Sequence, residues 1–126
     1  MKIRVYYEDT DAGGIVYHSQ YLNFCERARS ELFFQKDLSP VLSSGHFVAK
    51  KIEANYINSA KLGDKLEIKT KLTKMRAASF ELLQTIFRDG IKIFELKIVL
   101  AYITFEGRPQ KMDADVKEML FLLFVH

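Results

Sequence analysis

From Phe47 onward the chain carries four long runs in succession, FVAKKIEANYIN, KLEIKTKLTKM, SFELLQTIFR and IKIFELKIVLAYITF. Each is rich in β-branched and aromatic residues, and short turn signals such as LGD and RDG separate them. Four such strands pair antiparallel, and the last two, meeting at Asp89 and Gly90, read as a hairpin. This string of strands limits the chain to architectures dominated by one antiparallel sheet.

What precedes the strands supplies the other layer. Ile3, Val5 and Tyr7 alternate with Lys2, Arg4, Tyr6 and Glu8, the period of a half-buried strand with its odd-numbered side chains facing in. After His18 the period lengthens. Ser19 stands as an N-cap, and Tyr21, Phe24, Cys25, Ala28 and Leu32 recur at three and four residues, with Glu26, Arg27, Ser30 and Glu31 mostly on the other side. The spacing predicts an amphipathic helix of about five turns, stopped near Asp37 by DLSP. One strand, one long helix and four strands make an α+β layer in which an antiparallel sheet of about five strands wraps one long central helix. The 126 residues suit a single domain, 1–126. Such a sheet leaves long edges, which joining the sheet of a second subunit would protect.

Composition narrows the function classes. Nineteen Lys and Arg against 16 Asp and Glu give a formal charge of +3 without a continuous basic block, too mild for a nucleic-acid partner but enough for a local patch that holds an anionic group. Cys25 is the one cysteine, so no internal disulfide forms and a reducing cytoplasm fits. The opening residues lack the apolar core of a signal peptide, and no run approaches the ~20 apolar residues of a membrane span. The most apolar stretch, EMLFLLFVH from Glu118 to His126, packs on the domain or on a partner subunit.

Between strand and helix lies DTDAGG, Asp9 to Gly14. Two acids in a glycine-rich turn serve local hydrogen bonding in one reading, because Asp accepts from nearby N–H groups and Gly supplies positive φ. A calcium loop fails: Gly13 stands at its fifth position, and Gln20 stands where a bidentate Glu belongs. No His or Cys stands at ligand spacing for another metal. A third reading is catalytic. A helix N-terminus directs unpaired N–H groups at whatever precedes it, so a carbonyl there is polarised and Asp11 alongside acts as nucleophile or general base. Gly13 and Gly14 would let backbone approach the substrate. His18 is either a surface or capping residue, or it places its N–H at that carbonyl and its ring in the site. Tyr7, four residues before Asp11, is either core or a partner for Asp11. Cys25, on the apolar stripe, reads as buried and unreactive, and Lys74 and Arg76 as solvated strand charges or as an anion site.

The stretch YYEDTDAGGIVYHSQYLNFCERARSELF resembles the N-terminal motif of the hotdog-fold acyl-CoA thioesterases, in particular the YbgC branch of the 4-hydroxybenzoyl-CoA thioesterase family. Acid-Thr-Asp, small residues with glycine, Val-Tyr-His, a spaced Tyr and Glu-Arg-Ala-Arg stand at the family's spacing, and the later strands agree in number and order. The resemblance implies a hotdog fold, hydrolysis of acyl-CoA without a metal or other cofactor, Asp11 as the catalytic carboxylate, and a thioester carbonyl held at His18 with Tyr17 just before it. It implies CoA phosphates at KMRAASF, on Lys74, Arg76 and Ser79, and a site formed between two subunits of a homodimer or homotetramer. Alternatives are a non-catalytic module that binds acyl-CoA or acyl carrier protein, and a hotdog dehydratase. Phe24, Leu32 and Phe33, with the apolar strand faces, could line a pocket for the acyl group.

Overall fold

The computed structural model describes residues 1–125; His126, the end of the apolar C-terminal stretch, lies outside the described residues. In chain order the elements are β1 (Lys2–Arg4), a short 3₁₀ turn (Tyr7–Asp9), α1 (Gln20–Phe34), β2 (His46–Tyr56), β3 (Lys65–Met75), β4 (Ser79–Arg88), β5 (Ile91–Ile103) and α2 (Ala114–Phe124). The strands form one sheet in the order β1-β3-β4-β5-β2, every neighbouring pair antiparallel. The four long runs are thus β2 to β5. β4 and β5 meet as the expected hairpin, where Asp89 (φ 52°) and Gly90 (φ 77°) both adopt the left-handed region that a tight two-residue turn requires.

Alternation along the strands decides which face is core. Leu66 and Ile68 of β3, Phe80, Leu82 and Ile86 of β4, and Phe94, Leu96, Ile98, Leu100 and Tyr102 of β5 are buried on one face. Against it pack Tyr21, Phe24, Cys25, Ala28 and Phe33 of α1 and Leu120, Leu123 and Phe124 of α2. Each fully buried aromatic or aliphatic side chain contributes roughly 1.5–3 kcal/mol, so this shared face dominates the stability of the fold.

Four expectations need correction. The first strand is three residues long: Val5 turns inward as alternation demands, but the buried carboxylate of Asp9 accepts the Tyr6 N–H at 2.9 Å and draws the chain into the 3₁₀ turn. Tyr7 therefore points outward, 81% exposed, and is not part of the core. α1 has 15 residues, about four turns, and it shares the sheet with α2, so the single long helix is replaced by two. Ser19 makes no side-chain cap, because it already has helical φ and ψ (−76°, −17°) and the Gln20 N–H donates to the Tyr17 carbonyl at 2.9 Å. The apolar C-terminal stretch is mostly α2, capped by the Asp113 carboxylate on the Val116 N–H at 2.9 Å and packed on its own domain. No helix among the described residues is long and apolar enough to cross a membrane.

Candidate active site

The segment from Tyr6 to Gln20 is built around Asp9. Its Oδ2 accepts the Tyr6 N–H, its Oδ1 accepts the Gln20 side-chain amide at 2.8 Å, and its carbonyl accepts the Tyr17 N–H at 3.0 Å. One buried acid thereby ties the end of β1 to the start of α1. Between the tied ends, residues 10–16 fold back as a small loop. The Asp11 N–H donates to the Ile15 carbonyl at 2.9 Å, the Gly14 N–H donates to the Asp11 carbonyl at 3.0 Å, and the Val16 N–H donates to Ala60 at 2.9 Å.

Asp11 sits on this loop with its side chain in solvent. One oxygen, Oδ1, accepts the Gly13 N–H at 2.8 Å; Oδ2 meets no protein donor among the described residues. A Cβ on residue 13 would stand 3.2 Å from Oδ1 and press on the Asp11 carboxylate. Gly14 has φ 80° with open space around it, so the turn itself calls for glycine there.

At the start of α1, the Tyr17 carbonyl accepts the Gln20 N–H and the His18 carbonyl accepts the Tyr56 hydroxyl at 2.7 Å. Among the described residues no acceptor takes the N–H of His18 or of Ser19. The His18 ring lies against Tyr17, centroids 4.3 Å apart, and both are exposed. Asp11, Tyr17 and His18 are thus all exposed on the segment that leads into α1, and Tyr7 joins that segment through its main chain, its carbonyl accepting from Thr10. No hydrogen bond joins the Tyr7 hydroxyl to Asp11 among the described residues.

Lys74, Arg76 and Ser79 lie on the opposite face of the sheet, where β3 gives way to β4. With Lys50, Lys51 and Lys97 they line a depression of about 360 Å³ that also contains Glu53 and Glu81. A hydrogen bond from Thr73 keeps the Glu81 carboxyl below the usual range, helped by Lys74, Lys97 and Arg76. Five basic side chains against two acidic ones leave the depression net positive. No residue of DTDAGG lines it, so one chain does not join the two groups.

Phe24 and Phe33 are 1% and 3% exposed, filled into the core and not lining a pocket. Cys25 is buried as expected, and burial pushes its thiol up to about 12 despite the nearby Arg29 guanidinium. Sequence reading missed Gln20 and Tyr56. Gln20 lies 11 positions after Asp9 and only its place at the predicted helix start could have signalled the contact, whereas the Tyr56 contact spans 38 positions and leaves no local pattern.

A five-stranded antiparallel sheet carrying a helix on one face, with an acid-and-glycine loop leading into that helix, defines a protein of the hotdog class. Residues 5–120 match the profile of the Thioesterase-like superfamily, and the chain belongs to that superfamily. It is 47% identical over 87 residues to the acyl-CoA thioesterase YbgC of Helicobacter pylori, a match covering 69% of this chain and 65% of that protein, just under two thirds of its length. It is 37% identical over 121 residues to the acyl-CoA thioesterase YbgC of Haemophilus influenzae, covering 91% of this chain and 88% of that one. The crystal structure of a "Probable Thioesterase" from Bartonella henselae superposes with a TM-score of 0.84 at 32% identity, covering 90% of this chain and 97% of the other.

Proposed function

We propose that residues 1–126 form a single catalytic domain that hydrolyses an acyl-CoA: water is added, the C–S bond breaks, and a free carboxylic acid and the CoA thiol leave. The observation that carries this reading is an exposed carboxylate, Asp11, steadied by the Gly13 N–H on the approach to helix α1, just before which the N–H groups of His18 and Ser19 have no protein acceptor among the described residues. A thioester carbonyl is weakly resonance-stabilised and already electrophilic, so it chiefly needs orientation and a place for the negative charge that develops on oxygen. One preorganised donor at that oxygen is worth ~2.7–4 kcal/mol. Asp11 acts by one of two balanced routes, attacking the carbonyl carbon to give an anhydride that water opens, or taking a proton from the attacking water. Neither route requires a metal or redox cofactor.

Tyr7, Tyr17 and the His18 ring stand exposed around this turn, available to the acyl-thioester end of the substrate. Lys74, Arg76 and Ser79 receive the phosphates of CoA. Because that depression lies apart from DTDAGG in a single chain, the complete site draws on two subunits of a homodimer or homotetramer. An acyl carrier protein presents the same pantetheine thioester and could be served by the same turn. The reducing cytoplasm suits a chain whose lone cysteine stays a thiol.

The test is thiol release. Purified protein incubated with short, aromatic and long acyl-CoA substrates should liberate CoA thiol and acid in equal amounts, measured with an aromatic disulfide reagent; buried Cys25 adds no signal in the folded protein. Tight acyl-CoA binding without release would assign a binding module instead. A single turnover in ¹⁸O water separates the two routes: an anhydride opened at the Asp11 carbonyl puts the label in the Asp11 carboxylate and releases unlabelled acid, whereas water activated by Asp11 puts the label in the acid.

A further inference from the structure

We infer that Tyr56 is a positioning residue for the two backbone donors at the start of α1, an inference that rests on the hydrolase reading above. A trans peptide unit is planar, with its C=O and N–H pointing in opposite directions, so fixing the carbonyl fixes the N–H. In the unit joining Tyr17 to His18, the carbonyl accepts the Gln20 N–H at 2.9 Å. In the unit joining His18 to Ser19, the carbonyl accepts the Tyr56 hydroxyl at 2.7 Å. Both N–H vectors are thereby set.

The two anchors differ in kind. Tyr17 to Gln20 is a β-turn closed by its own hydrogen bond, and any such turn supplies the first anchor. The His18–Ser19 unit is the central peptide of that turn, the one whose rotation separates type I from type II turns. Ser19, the third residue of the turn, resists the flip because type II asks for positive φ there, but no hydrogen bond within the turn holds this unit, and Ser19 makes no side-chain cap. Rotation would aim the Ser19 N–H away and present a carbonyl oxygen where negative charge must develop. Tyr56 opposes this from the end of β2, its ring edge-on to Tyr21 (centroids 5.6 Å) and to Phe94 (5.0 Å), while Tyr21 itself stacks on Phe94 and accepts the Ala60 N–H at 3.0 Å. The phenol is held on two sides by aromatic packing. Burial, with smaller contributions from Tyr21 and Cys25, raises the Tyr56 hydroxyl above the ordinary phenol range, so it keeps its proton and donates.

Tyr56→Phe keeps the ring and removes the donor. We expect kcat to fall on the order of tenfold, within the range that a small misplacement costs, with KM and melting temperature little changed. In ¹⁵N-labelled protein the amide resonances of His18 and Ser19 should shift or broaden in this variant, while those of the middle of α1 stay in place. Wild-type kcat, or amide resonances of His18 and Ser19 that do not move, would overturn the inference, as would a loss of rate matched by an equal loss of stability. Should the wild-type protein release no thiol from any thioester, the hydrolase reading fails separately, and the amide resonances still decide whether Tyr56 orients the peptide.

Discussion

Two aspartates two positions apart meet opposite surroundings, and their variants should fail in opposite ways. Asp9 is buried and accepts three protein donors through its carboxylate and carbonyl. Asp9→Asn turns one acceptor oxygen into an NH₂ that faces a donor, which costs about 1–3 kcal/mol of stability, read as a lower urea midpoint. Asp11 is exposed, and Asp11→Asn keeps its shape and the bond from Gly13 while removing the charge. Its urea midpoint should match the wild type while kcat falls at least on the order of a hundredfold. Near-wild-type turnover in Asp11→Asn would return the loop to a purely structural role. Cys25 supplies a prediction in alkali. Its thiol titrates near about 8.5 in an unfolded chain but near about 12 when folded. Between these values the unfolded chain holds fewer protons, so the contribution is complete below the lower value and is lost as pH rises, by roughly 1.4 kcal/mol per pH unit. Urea midpoints measured at pH 8 to 11 should fall more steeply for wild type than for Cys25→Ala. At this scale the motif residues were legible because their spacing is local. Tyr7 was misread because a buried acid two residues later ended the alternation, and Tyr56 was silent because only the folded sheet brings it to His18.

Strands β2 to β5 were legible almost to the residue, since each is long, rich in β-branched and aromatic residues and bounded by turn signals. Helix α2 was not, because Met119 to Phe124 is an unbroken apolar run with no 3.6 period to read; Asp113 at its N-cap was the available signal. The start of β2 depends on a position whose importance the sequence also concealed. Gly45 lies directly over the Ile103 carbonyl of β5, and a Cβ there would overlap that backbone and the Gln110 side chain. Its constraint is close approach, not left-handed backbone. Gly45→Ala must push β2 off β5, the strand pair that begins at His46 and Ile103. Such overpacking costs ~1–3 kcal/mol. The urea midpoint should drop with an unchanged m-value; an unaltered midpoint would mean that the loop yields without disturbing the strand.

The two halves of the proposed site lie on different faces of one chain, with Asp11 at the helix-side loop and Lys74 and Arg76 in the depression on the far side of the sheet. β2 forms one margin of the sheet, and apart from His46, which also bridges Val41, its outer edge has no strand partner among the described residues. Tyr6, Tyr17, Ile52 and Ile57 add exposed apolar surface. A second copy would cover both features and could bring its own basic depression to the first copy's Asp11. This arrangement has a numerical consequence that distinguishes it from a site contained in one chain. Let one variant carry Asp11→Asn and another carry Lys74→Glu with Arg76→Glu, each nearly inactive at substrate concentrations below KM. If a site takes Asp11 from one subunit and the cations from the other, a mixed dimer has one site with both defects and one site with none. Random exchange at equal amounts makes half the dimers mixed, so the mixture should recover about a quarter of wild-type activity for a dimer of C₂ symmetry. If both groups come from the same chain, every site keeps one defect and mixing restores nothing. Co-refolded or co-expressed variants should be compared with the same variants mixed without exchange, and a mixture no more active than the average of its components would put Asp11 and the cations in a single subunit.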